Sequence, residues 1–310
     1  MGKIAFLFDG QGSQYPGMAK DFYENIHAVR DAFGVAEAIR GGTLEQLFFG
    51  TEEELKRTDN AQPCLFLADI AVSLALSTVG IKPDVVAGFS LGEVPALAVA
   101  GLMKIPDAFK TVCMRGNLMQ DVAEKEKGCM IAVMGMDRDE LAGLCEQLNV
   151  YPVNYNCPGQ IVVSGKKERM EQLKRRLEKR NVRAVELAVG GPFHTPYMEA
   201  AASGLRKWMN SGKVMIHQPE LILYSNRTAM PYESDKEKIV NTFTEQMMYP
   251  VKWEDTLLHM AEAGVDTFIE CGPGKVLSGF VKRTIKGAKN YYVCDMESLK
   301  RTVKELGTVC

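Results

Sequence analysis

Residues 85–97 read VVAGFSLGEVPAL, a serine between two glycines directly after an apolar run. Val85, Val86 and Ala87 have the character of a short buried strand, and Leu97, Val99, Leu102 and Met103 follow as apolar helix positions. A strand that turns sharply into a helix at G-x-S-x-G is a nucleophile elbow. Glycine at 88 and 92 lets the backbone pass close without Cβ clashes, and Ser90 is presented at the helix N-terminus. The free N–H groups and the positive end of the helix dipole there favour an oxyanion. Such a serine needs a base, and the elbow needs a parallel α/β layer to carry it.

Working outward, residues 4–8 read as a strand, 18–32 and 64–78 as helices, 85–89 as a strand, and 91–103 and 106–124 as helices. Asn60 and Pro63 mark the start of the 64–78 helix. At residue 128 the pattern changes to strand 128–136, helix 137–148, strand 149–155, strand 159–165, helix 167–179 and strand 182–189. That order is β-α-β-β-α-β, the ferredoxin-like split motif, after which strands at 221–226 and 267–272 resume the first pattern. The expected fold is α/β, with an α/β-hydrolase-like parallel-sheet core (1–125 and 191–310) and an inserted ferredoxin-like βαββαβ small subdomain (126–190).

Composition narrows the function classes. An apolar content of 46% and a charged content of 25% are ordinary for a globular chain, and a net charge of −2 argues against a dedicated nucleic-acid binder. Eight cysteines, the last of them Cys310, include no C-x-x-C pair, and with four histidines no metal-ligand spacing arises. The expectation is a reduced, cytoplasmic chain acting as a monomer, without metal. The first apolar run is too short for a signal peptide. The longer apolar stretches at 64–81, carrying Asp69, and 85–103, broken by the serine turn and Pro95, are poor membrane spans.

Four histidines limit the search for a base. His259 lies in an amphipathic helix pattern, His27 in a charged helix-like stretch, and His217 at a strand entry before Pro219, and nothing near any of them marks a site. His194 sits in VGGPFHTPYM, where two glycines and two prolines dictate a tight irregular loop at the edge of the inserted unit. Ser90 and His194 would supply nucleophile and general base. The third group is either a carboxylate or a backbone carbonyl holding the ring's other nitrogen.

Several stretches together resemble the malonyl-CoA:acyl carrier protein transacylase family, the acyltransferases of fatty-acid and polyketide synthesis. They are GQGSQYPGM (10–18), AQPCLF (61–66), GFSLGE (88–93), RGNLMQ (115–120), NYNCPGQIVVSG (154–165), PFHTPYM (192–198), YSNRTA (224–229), QMMYPVKW (246–253) and ECGPGKVLSGFVKR (270–283). The resemblance implies that Ser90 is acylated, that His194 takes and returns its proton, and that the backbone carbonyl of Gln246 orients the histidine. It implies an oxyanion hole from the N–H groups of Gln11 and Leu91. It implies that Arg115 pairs with a malonyl carboxylate, a task that suits a planar fork of donors. Phe89, Phe193, Met119, Gln62 and Asn156 are expected against the substrate. The implied partners are malonyl-CoA and acyl carrier protein, and no cofactor is expected beyond the coenzyme A thioester itself.

The chain departs from the family pattern at Phe89, where histidine is usual, and at Asp9, where proline or alanine is usual. Those changes bear on acyl preference and rate more than on reaction class. The basic segment GKKERMEQLKRRLEKRNVR (165–183) is either an electrostatic guide for an acidic carrier or a solvated helix face, and Lys275, Lys282 and Arg283 are rival docking candidates. A serine thioesterase would share the elbow, and so would an acyltransferase of a specialised pathway with another acyl-CoA preference.

Overall fold

The computed structural model describes residues 2–307, and Cys310 lies outside them. Within it the strands are β1 (Lys3–Phe8), β2 (Val85–Gly88), β3 (Gly128–Met134), β4 (Tyr151–Cys157), β5 (Gln160–Lys166), β6 (Arg183–Glu186), β7 (Ile222–Tyr224), β8 (Val265–Cys271) and β9 (Lys289–Val293). Five of these form a parallel sheet in the order β7-β2-β1-β8-β9. The central β1 and β2 are buried on both faces, which is why they read as continuous apolar runs.

The other four strands form an antiparallel sheet in the order β4-β5-β3-β6, the ferredoxin-like arrangement. Side chains alternate across β3, so each face has its own role. Ile131 and Val133 pack with Met170, Leu173 and Leu177 beneath the helices Arg138–Leu148 and Lys167–Glu178. Met130 and Ala132 face the main core and help to wall the cavity described below.

Several boundaries differ from the sequence expectation. The 64–78 helix starts at Thr58 and carries Pro63 inside it, because its first turns are buried against the helix Ile105–Glu126 and Gln120 accepts from the Thr58 N–H at 3.0 Å. By length and composition this helix could cross a membrane, but 83% of its apolar window is buried in the protein. The 18–32 helix is two helices, Lys20–Asn25 and His27–Ile39, broken where Ile26 is extended. The helix after the elbow is shorter than 91–103, ending at Val99, and β6 stops at Glu186 instead of 189. Strand β9 escaped the reading because the edge segment KNYYV is only partly buried and carries no unbroken apolar run, and the final helix Met296–Leu306, capped by Asp295, was not anticipated either.

Candidate active site

The chain leaves β2 at Gly88 and enters one 3-10 turn, Ser90–Gly92, before the helix Glu93–Val99. Ser90 has φ +55, in the left-handed region that a non-glycine residue enters only under constraint. The glycines supply the room. A Cβ on Gly88 would stand 1.8 Å from the Gly92 carbonyl oxygen, and one on Gly92 would stand 2.3 Å from that of Phe8. Gly88→Ala is therefore expected to cost about 3 kcal/mol or more, because backbone and not a flexible side chain must give way. Thermal unfolding checks this. Asn226 completes the turn: its Oδ1 accepts from the Ser90 N–H at 2.6 Å and its Nδ2 donates to the Gly88 carbonyl at 2.6 Å.

His194 is also left-handed, at φ +60, in the irregular segment between β6 and the 3-10 turn Pro196–Met198. That conformation aims the ring at the elbow. His194 Nε2 lies 2.7 Å from Ser90 Oγ, and Nδ1 lies 2.9 Å from the Gln246 carbonyl oxygen. A carbonyl can only accept, so Nδ1 carries the proton and the Nε2 lone pair faces the serine hydroxyl. The third member of the set is thus a backbone carbonyl. Burial, and then the nearby Arg115 cation, push the imidazole down to about 4, so it is neutral and free to accept a proton at neutral pH.

Arg115 is fully buried and approaches the same hydroxyl, with Nη2 3.5 Å from Ser90 Oγ. Its Nη1 donates to Gln62 Oε1 and its Nη2 to Gln246 Oε1, both at 2.9 Å, while Nε has no hydrogen-bond partner among the described residues. The Gln246 Nε2 donates to the Ser90 carbonyl at 2.7 Å and to Glu93 Oε2 at 2.8 Å. Glu93 also accepts from the Tyr232 hydroxyl and, at 3.3 Å, from the Asn226 N–H. Burial of this carboxyl outweighs those hydrogen bonds and pushes it up to about 7.

These groups stand at the floor of a cavity of about 250 Å³ between the two sheets. Ser90, His194, Gln11, Gln62, Met119, Phe89, Phe193 and Asn156 all line it. Gln11 turns its side chain to Thr58 Oγ1 at 3.3 Å, and the Leu91 side chain is buried in the main core, so any contribution of either to an oxyanion site comes from the main chain. Arg115 and Gln246 are fully buried just beneath this lining, and Arg115 reaches through to the Ser90 hydroxyl. Phe89 packs edge-on against Trp253, with ring centroids 5.3 Å apart, and against Phe280 at 6.2 Å, so it fills an apolar corner where the resemblance leads one to expect an imidazole. Asp9 lines the cavity too, and its carboxyl, held well above the usual range by burial and by Glu270 beside it, accepts from the Gly274 N–H.

The other histidines stand apart. His27 is exposed and pairs with Asp31, and His259 Nδ1 lies 2.8 Å from the Ala229 carbonyl oxygen. On the helix Lys167–Glu178 the charged residues ring the buried Met170, Leu173 and Leu177, as a solvated face does. Sequence reasoning passed over Glu93, Asn226 and Tyr232. The signal for Glu93 was an acid in the first turn of an otherwise apolar helix, EVPALAV, whose burial is total.

Comparison with known proteins identifies the class first. A family model described as the acyl transferase domain matches residues 5–308, and the protein is an acyltransferase. The malonyl CoA-acyl carrier protein transacylase of Bacillus subtilis (strain 168) is 39% identical, the match covering 99% of this chain and 98% of that one. The crystal structure of the malonyl CoA-acyl carrier protein transacylase from Clostridium perfringens superposes with a TM-score of 0.92 at 35% identity, over 98% of this chain and 97% of that one. A malonyl-transacylase solved in complex with its type II PKS acyl-carrier protein gives 0.92 at 32% identity, over 98% and 99%. This chain belongs to the malonyl CoA-acyl carrier protein transacylase family.

Proposed function

We propose that this acyltransferase moves a malonyl group from malonyl-CoA to the phosphopantetheine thiol of an acyl carrier protein through an ester on Ser90. The observation that carries the reading is the contact set at one hydroxyl: His194 Nε2 at 2.7 Å and the buried Arg115 guanidinium at 3.5 Å. Ser90 Oγ attacks the thioester carbonyl as its proton passes to His194 Nε2. The tetrahedral oxyanion is held by the main-chain N–H groups of Gln11 and Leu91. Collapse breaks the C–S bond, and coenzyme A leaves with the proton from His194. The carrier thiol then gives its proton to the same nitrogen and attacks the ester, and Ser90 recovers its proton as it is expelled. The route draws on no metal or prosthetic group, because every proton transfer is assigned to Ser90, His194 or the two thiols.

Arg115 supports malonyl as the acyl group. A buried cation whose hydrogen-bond partners are all neutral oxygens favours an incoming carboxylate and penalises a neutral acyl chain. The carrier partner is supported by the relative seen with its own acyl-carrier protein. Arg115→Ala is expected to lower malonyl kcat/KM roughly ten- to a hundredfold, the worth of a charge-assisted pair of about 1.5–3 kcal/mol. Acetyl transfer should change little. Equal losses for the two substrates would make the arginine purely structural.

Intact-mass spectrometry tests the whole reading. Mixing with malonyl-CoA should give a single malonyl adduct that is stable until holo acyl carrier protein removes it. Rapid loss of the adduct to water would identify a hydrolase instead, and the absence of any adduct would overturn the covalent route.

A further inference from the structure

A buried guanidinium needs a counter-charge, and none touches Arg115. Its hydrogen-bond partners are the two amide oxygens and, at 3.5 Å, the serine hydroxyl. The carboxylate that bears on it is one amide away. Gln246 spans the gap, its Oε1 accepting from Arg115 and its Nε2 donating to Glu93 Oε2. The same residue's backbone carbonyl holds His194, so Glu93 anchors the side chain of the residue whose main chain orients the base.

We propose that ionised Glu93 is the counter-ion of Arg115 before substrate binds, and that a carboxylated acyl group takes over this role while Glu93 becomes protonated from solvent. This rests on the malonyl reading given above. With both carboxylates ionised, one buried cation would face two anions, and like charges brought into one dry site favour protonation of one of them. The titratable and charged groups facing Glu93 are the Tyr232 hydroxyl and Arg115, and the other contacts are the Gln246 amide and the Asn226 N–H. Burial already holds Glu93 at about 7, so the proton is taken up near neutrality. Glu93 does not touch the acyl group. It is a positioning residue that also sets specificity.

The sign of the consequence follows. Protonated Glu93 leaves Arg115 to the substrate carboxylate, whereas ionised Glu93 competes for it. The ratio of malonyl to acetyl kcat/KM should therefore fall as pH rises through the Glu93 pKa. Titration of His194 affects both substrates alike and cancels in that ratio.

The test measures acylation by malonyl-CoA and by acetyl-CoA from about pH 5.5 to about 8.5, for the unmodified protein and for Glu93→Gln. Glutamine preserves the contacts, since its oxygen can accept from Gln246 and its amide can donate to the Tyr232 oxygen. In the unmodified protein the ratio should fall at least about threefold over this range, with a limit of about tenfold per pH unit. In Glu93→Gln it should be flat. A flat ratio in the unmodified protein, or an unchanged slope in the variant, overturns the proposal. A second readout needs no variant: in weakly buffered solution near neutrality, malonylation should take up a fraction of a proton that acetylation does not, and equal uptake overturns the proposal as well. Arg115→Ala separates the two levels of inference. If it leaves the ratio unchanged, the malonyl reading itself fails, whereas a collapsed ratio beside a flat pH profile in the unmodified protein refutes Glu93 alone.

Discussion

Ser90→Ala is expected to abolish the covalent adduct with malonyl-CoA and to lower transfer by about six powers of ten, the scale seen when a serine enzyme loses its nucleophile. The fold should survive. The Ser90 main-chain N–H, and not its hydroxyl, is what Asn226 holds, and the hydroxyl's contacts are with His194 and Arg115. Alanine meets the same left-handed backbone cost that serine already bears at φ +55. Intact mass together with thermal unfolding reads both outcomes, and a malonyl adduct on a folded Ser90→Ala protein would place the nucleophile elsewhere.

His194→Ala should slow acylation by roughly two to four powers of ten, the usual worth of a positioned base. The unmodified protein carries a related signature in its pH dependence. The imidazole is held down to about 4, below its ordinary 6.5, so its neutral, base-competent form is present above that value and is lost as pH falls through it. Acetyl transfer, which is free of the Glu93 effect, should therefore hold its rate from neutrality down to about pH 5. A midpoint near 6.5 would show that burial and Arg115 do not control the ring. Near-normal acylation by His194→Ala would assign the base to another group.

The elbow was legible because its chemistry is local. Gly88, Ser90 and Gly92 stand within five residues, and the backbone approach that demands glycine there also presents the half-buried hydroxyl to the cavity. The inserted unit was legible from its order of strands and helices, since Met170, Leu173 and Leu177 repeat at helical spacing where the flanking strands do not. His194 was reachable by elimination among four histidines, because glycine and proline around it marked an irregular loop. Boundaries were less legible. Pro63 reads locally as a helix start, but the burial of Thr58, Ala61 and Gln62 carries the helix back past it.

By itself the sequence determined the strand-turn-helix that holds Ser90 and the split βαββαβ unit, and it narrowed the base to His194, because each of these is marked by a local pattern of residues. The tertiary structure alone decided how the charge at the site is balanced. The groups concerned, Glu93, Arg115, Asn226, Tyr232 and Gln246, are spread over more than 150 residues of chain, and Glu93 and Gln246, which hydrogen-bond, are 153 positions apart. Hydrophobic periodicity says nothing about such pairs. They meet because parallel strands β2 and β7 carry the elbow and Asn226 to one edge of the sheet, where burial removes water and leaves each polar group only the partner that folding brings to it.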